Sequence, residues 1–187
     1  MFKTIVITKP LFFDGEADVI VRLLRQGRVN LIHIRKPGAA RKDVERLLTA
    51  IPSEWHAQLV LHDHFDLAVS QALYGVHLNA RNPNPPVGWE GSISRSCHTL
   101  QEINVWKGRC DYLSLSPIFD SVSKQGYLSA FTSNDIADAY RLGIIDEKVY
   151  ALGGVTFNRI ETVKAMGFGG AMILGDAWKS MKGAAWK

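Results

Sequence analysis

Cysteine is nearly missing from this chain: Cys97 and Cys110 are the only two among 187 residues. They have no metal-ligand spacing and are too few for a disulfide framework, so a reducing, cytoplasmic setting is expected. Long apolar runs are missing as well. None approaches the roughly 20 residues that cross a bilayer, so no membrane partner is expected. The opening segment Met1–Thr8 is too short and too β-branched for a signal peptide and reads as a first strand. Dense basic runs are also lacking. The net charge of +4 comes from scattered Lys and Arg, which argues against nucleic acid and for an anionic small molecule. Without a linker, low-complexity tract or long repeat, the chain reads as one domain over 1–187.

What is present is a regular alternation of short apolar runs and amphipathic stretches. Strands are expected at Lys3–Thr8, Val29–Ile34, Gln58–His62, Gly75–Leu78, Ser92–Arg95, Asp111–Leu115, Lys148–Leu152 and Gly170–Ile173. Helices are expected at Glu16–Gln26, Ala39–Ala50, Phe65–Leu73, from Thr99 to about Lys107, and at Thr132–Leu142, Phe157–Met166 and Asp176–Met181. Thr99-Leu100-Gln101-Glu102 has the form of a capping box. Asn82-Pro83-Asn84-Pro85-Pro86 is loop. Eight strand-then-helix units fit a minimal (β/α)8 TIM barrel better than the alternative, an open doubly wound sheet.

In such a barrel the usual phosphate site follows strands seven and eight. Leu152-Gly153-Gly154-Val155 and Leu174-Gly175-Asp176 stand there, and glycine lets backbone N–H groups approach an anion closely. Arg35 and Lys36 end strand two, with Arg35 offering a planar fork and Lys36 a point charge for phosphate oxygens; a solvated basic turn would look the same. His33 reads equally as a hydrogen-bonded barrel-interior residue or a ligand. His62-Asp63-His64 ends strand three, where Asp63 would hold Mg2+, orient a base or cap the next helix, and His62 would bind substrate or stay structural. Ser96 and His98 follow strand five. They are either helix caps or catalytic groups, with histidine suited to general-base work because imidazole titrates near neutral pH. Ser121, Ser123 and Lys124, in the polar loop Ser116–Tyr127, make an anion clamp plausible. Trp178 reads as core. Trp178 and Trp186 together leave a homodimer open.

In order and spacing, these positions resemble the thiamine phosphate synthase family, including its thiazole tautomerase relatives of the TenI group. The resemblance spans Ile32 to Asp176. It rests on the Arg35-Lys36 turn, Leu61-His62-Asp63, Gly75-Val76-His77-Leu78, Ser96-Cys97-His98, Pro117-Ile118-Phe119 with Ser121-Val122-Ser123-Lys124, and the two glycine turns. It implies a phosphorylated thiazole as ligand. It implies either a synthase, which joins the thiazole phosphate to hydroxymethylpyrimidine diphosphate with Mg2+ and releases diphosphate, or a tautomerase, which moves a proton on a thiazole carboxylate phosphate without metal. A synthase would hold Mg2+ on Asp63, diphosphate on Arg35 and Lys36, and thiazole phosphate on Ser121, Ser123, Gly153 and Gly175.

Departures concentrate on the diphosphate and metal side. Where the family continues Gly-Gln-x-Asp after its GVHL, this chain has Asn79-Ala80-Arg81-Asn82. His33 replaces a usual Gln, Pro37 an expected lysine, and His62 a common Asn. These changes tilt the expectation toward the tautomerase, with His98 moving the proton and Ser96 and Arg35 assisting. The synthase is the alternative. A non-catalytic thiazole-phosphate-binding protein on the same scaffold is the third reading.

Overall fold

Short β-branched runs such as Lys-Thr-Ile-Val-Ile cannot bury two faces alone, and here they close on one another. The computed structural model describes residues 1–120 and 129–181. Its parallel strands are β1 (Lys3–Ile7), β2 (Leu31–Ile34), β3 (Leu59–Leu61), β4 (Gly75–Leu78), β5 (Ser92–Cys97), β6 (Tyr112–Leu115), β7 (Val149–Ala151) and β8 (Gly170–Ile173). They pair in chain order, and β8 returns to β1 with Lys3 opposite Gly170, closing the barrel. The fold is a (β/α)8 barrel.

The outer helices are α1 (Glu16–Arg25), α2 (Arg41–Ala50), α3 (Phe65–Ser70), α4 (Leu100–Trp106), α5 (Ser133–Arg141) and α6 (Ile160–Ala165). The capping box forms at α4, where Thr99 accepts from the Glu102 amide and Glu102 accepts from the Thr99 amide. The alternation is incomplete in one place. No helix follows β4, because the proline-rich segment has too few free N–H groups to start one. The stretch after β8, Asp176–Met181, is a 3-10 turn, and another at Phe157–Arg159 precedes α6. No described helix is long and apolar enough to cross a membrane.

Strand alternation sorts side chains into two layers. Ile32, Ile34, Leu59, Leu61, Val76 and Leu113 face outward onto the helices. Ile5, Ile7, Leu31, Val60, Tyr112, Tyr150 and Met172 pack as a separate inner cluster. Trp178 is buried, donates to the Ile7 carbonyl at 2.8 Å and meets Phe13 edge-on, so it is core as its sequence context implied.

The inner layer divides by chemistry. β7, β8 and β1 contribute Tyr150, Met172, Ile5 and Ile7, whereas β2 to β6 contribute, beside Leu31, Val60 and Tyr112, the polar His33, His77, Ser94 and Ser114, with His62 directly after β3. The polar half lies under one end of the pocket at the strands' C-terminal ends, and the apolar half under the other.

Candidate active site

A cavity of about 540 Å3 opens at the C-terminal ends of the strands. Its size suits one or two small-molecule ligands. One end is built from backbone. Ile118 and Phe119 donate to the carbonyls of Leu152 and Gly153 at 2.9 and 3.0 Å, zipping the loop after β6 to the turn after β7. Gly153 and Gly154 have φ of 89° and 63°. A Cβ at Gly153 would sit 2.7 Å from the Pro117 Cα, and one at Gly154 would press on the Asp120 carbonyl. Glycine is thus required for both the left-handed turn and the close approach. Arg159 donates to the Gly154 carbonyl at 2.8 Å, and its guanidinium lies 4.7 Å from the Phe119 ring centroid.

The second glycine turn is tied to the first: Asp176 accepts from the Phe157 amide at 3.0 Å. Among the described residues, the amides of Gly153, Gly154 and Gly175 donate to no backbone carbonyl. Gly153, Gly154, Leu174 and Gly175 all line the cavity, together with the apolar Ile7, Leu152 and Met172. The sequence placed these residues here as an anion cradle. Ser121, Ser123 and Lys124 lie outside the described residues.

The floor is a stack of buried imidazoles. His33 bonds His62 at 2.9 Å and the Tyr112 hydroxyl at 2.7 Å. His77 bonds the hydroxyls of Ser94 and Ser96, both at 2.8 Å. Burial drives all three histidines below the usual imidazole range, His77 to about 3, so they are neutral and polar. Their ligand atoms lie within 4.8 Å of one another. Even so, His62 and His77 stack at 4.2 Å with 26° between planes. In-plane lone pairs of stacked rings cannot both meet one ion at the about 2.1 Å of a metal–imidazole bond. The arrangement is a hydrogen-bonded floor, not a metal cage.

The other end is built from side chains. Arg35 continues the inward alternation of His33 and reaches the cavity, its backbone anchored by reciprocal bonds with Thr8 at 2.9 and 3.3 Å. Lys36 does not join it. The next residue on a strand points the other way, and Lys36 is 2% exposed beneath the loop after β1. It bonds Glu16 at 2.6 Å and the carbonyls of Lys9 and Leu11. Burial pushes the Glu16 carboxyl up and the Lys36 ammonium down, while their ion pair pulls both back. The phosphate contact expected of Lys36 is therefore corrected: its charge is spent inside the scaffold.

Asp63 neither caps α3, whose N-cap is His64, nor presents a free carboxylate. Arg81 grips both its oxygens at 3.1 Å, and Asn82 donates to Oδ1 at 2.8 Å. Mg2+ needs carboxylate oxygens whose charge is not already neutralised. The donor set at Asp63 does not fit that ion, which corrects the metal role expected of it. The two cavity-lining carboxylates are also engaged, Glu102 with the His98 and Thr99 amides and Asp176 with Phe157.

His98 and Ser96 both line the cavity; β5 runs two residues further than expected, so Ser96 belongs to the strand itself and His98 follows it. Ser96 is no helix cap, because its hydroxyl is bonded to His77. His98 Nδ1 lies 3.1 Å from the Ser116 carbonyl and 3.2 Å from its hydroxyl, so that edge is anchored and the ring is oriented. Sequence reasoning passed over Arg81, Asn79 and Arg159. Only the unusual Asn79-Ala80-Arg81-Asn82 run signalled the first two.

Comparison with known proteins bears on this geometry. The profile described as thiamine monophosphate synthase matches residues 4–175. A thiamine-phosphate synthase of Halalkalibacterium halodurans is 26% identical over 173 residues, spanning 87% of this chain and 81% of its own. One from Salinibacter ruber is 28% identical over 175 residues, spanning 86% and 74%. Among solved structures, a thiamine phosphate pyrophosphorylase from Bacteroides thetaiotaomicron superposes with a TM-score of 0.86 at 39% identity, over 100% of this chain and 89% of that one.

Proposed function

Because this chain belongs to the thiamine monophosphate synthase family of enzymes, we propose that it joins hydroxymethylpyrimidine diphosphate to hydroxyethylthiazole phosphate. Diphosphate is released and thiamine phosphate formed. The tilt toward proton transfer that the sequence departures suggested gives way to coupling, since the named relatives are synthases. The observation that carries the reading is one cavity lined at one end by the Gly153–Gly154–Gly175 turns and at the other by Arg35 and Arg81, two chemically distinct places for an anion. A tautomerase has no diphosphate to place at the second.

In this reaction the bond between the pyrimidine methylene carbon and the diphosphate oxygen breaks. The thiazole nitrogen then gives its electron pair to that carbon. The glycine amides hold the thiazole phosphate by hydrogen bonds that need no side chain. Ile7, Leu152, Met172 and Leu174 wall the reacting carbon from water, which would otherwise capture it. Arg35 and Arg81 offer fixed positive charge to the departing diphosphate. The histidine floor matters by its lack of charge: neutral imidazoles present dipoles without repelling a carbon that becomes cationic. His98, with Nδ1 anchored on Ser116, and Ser96 line the wall as orienting hydrogen-bonding groups.

Incubation of the protein with both substrates, followed by chromatography, tests this. Thiamine phosphate and an equal amount of diphosphate are expected. Isomerisation of a thiazole carboxylate phosphate without any coupling would favour the tautomerase, and tight thiazole-phosphate binding with neither product would favour the binding protein.

A further inference from the structure

The end of the cavity formed by β3 and β4 is assembled around a guanidinium. Asn79 and Asn82 exchange backbone hydrogen bonds at 3.1 Å in both directions, and the Asn79 side chain accepts from the amides of Arg81 and Asn82. The same Asn79 amide group donates to the His62 carbonyl at 2.7 Å, and Asn82 donates to it at 3.1 Å. The loop is thus pinned to the end of β3. At its apex, Arg81 meets Asp63 through Nε and Nη2 in a two-point contact. The Asp63 side chain is 15% exposed and that of Arg81 49% exposed, so the carboxylate is the support and the guanidinium lines the cavity.

A guanidinium has five N–H donors, and this contact uses two, leaving about three for a ligand. Arg81 and Arg35 both line the cavity, and both add to the lowering of the His62 pKa that burial causes. A dication seated on Asp63 would first have to expel Arg81 and then share the carboxylate with Asn82, which contributes no charge. Two unlike demands on one carboxylate cannot both be met. Side by side on one carboxylate, a dication and a guanidinium repel each other.

The geometry points to Arg81, seated on Asp63, as the occupant of the place a divalent cation would need, so that this cavity binds diphosphate directly and without metal. The substrate whose diphosphate it would hold rests on the synthase reading, but the binding property does not.

Calorimetric titration of the full chain with inorganic diphosphate, in chelator and then in excess Mg2+, decides the matter. Affinities within about threefold of each other are expected, because fixed arginines supply the charge in both cases. Arg81→Met should weaken binding about tenfold or more and Arg81→Lys less, since lysine lacks the fork. Asn82→Asp combined with Arg81→Gln should bind diphosphate only when Mg2+ is added. Binding by the natural chain that appears only with Mg2+ would overturn the proposal. So would wild-type affinity in Arg81→Met. The chelator arm needs no variant, so a misfolded mutant leaves the test intact. Metal-free diphosphate binding without thiamine phosphate formation would sink the synthase reading alone. Coupling that proceeds while diphosphate binding demands Mg2+ would sink this inference alone.

Discussion

On the proposed function, the two ends of the cavity hold their anions by different means. At the β7 and β8 turns the donors are main-chain amides, held by glycines at positive φ and by backbone bonds to the loop after β6. At β2 to β4 the donors are side chains, Arg35 and Arg81, aimed by Thr8, Asp63 and Asn79. Main-chain donors cannot be exchanged by substitution; they can only be displaced. Side-chain donors can be retuned one residue at a time. The departures in the sequence fall on the side-chain end, and the backbone end keeps the family's pattern. The inner layer beneath is also uneven, its buried histidines and serines all lying on the β2 to β6 side.

Acid should separate the two halves most strongly. His33, His62 and His77 have folded pKa values below the ordinary imidazole value, so the unfolded chain binds protons that the native chain refuses. Their neutral burial costs nothing above about pH 6.5. Stability then falls as pH drops below that value, by up to about 4 kcal/mol per pH unit for three such groups. Denaturant titrations from pH 8 to 4 measure the slope, and His77→Gln should reduce it by about a third. A flat profile would mean that the polar half is not buried.

Lys36 tests where the side-chain end stops. Lys36→Met leaves Glu16 buried without its partner and should destabilise the fold by about 3–5 kcal/mol in chemical denaturation. Diphosphate affinity at a temperature where the variant is folded should stay within about threefold, because Lys36 belongs to the scaffold. Arg35→Ala should do the reverse, weakening diphosphate binding by about 1.5–3 kcal/mol in calorimetry. Its unfolding midpoint should barely move. Gly153→Ala probes the backbone end. It forces alanine to φ of 89° against Pro117 and should cost about 1–3 kcal/mol of stability. It should also lower thiazole-phosphate affinity while sparing diphosphate. The smallest effect belongs to Arg159→Ala, about 1 kcal/mol on thiazole-phosphate binding through a loosened Gly154 carbonyl.

Much of the barrel was legible because its signals are local. β4 and β8 fall at the residues expected, and the Thr99–Glu102 capping box opens α4 where the pattern placed it. The backbone end was legible for the same reason: glycines between an apolar run and a helix start have few other uses. The side-chain end was not. Arg35 and Lys36 are adjacent cations in sequence, and only the strand's alternation sends one into the cavity and the other onto Glu16. Asp63 looks like a metal ligand until Arg81, on the next strand's loop, is seen to hold both its oxygens. That pairing depends on the register of β3 against β4, which no local pattern encodes. The absence of a helix after β4, by contrast, was legible, since the proline run there reads as loop.

The most direct test of the account is a calorimetric titration of thiazole phosphate into protein already saturated with inorganic diphosphate. Two separate anion ends predict that thiazole phosphate still binds with one-to-one stoichiometry and little loss of affinity. Mutual exclusion of the two ligands would contradict the two-ended cavity and, with it, the coupling reaction proposed for this chain.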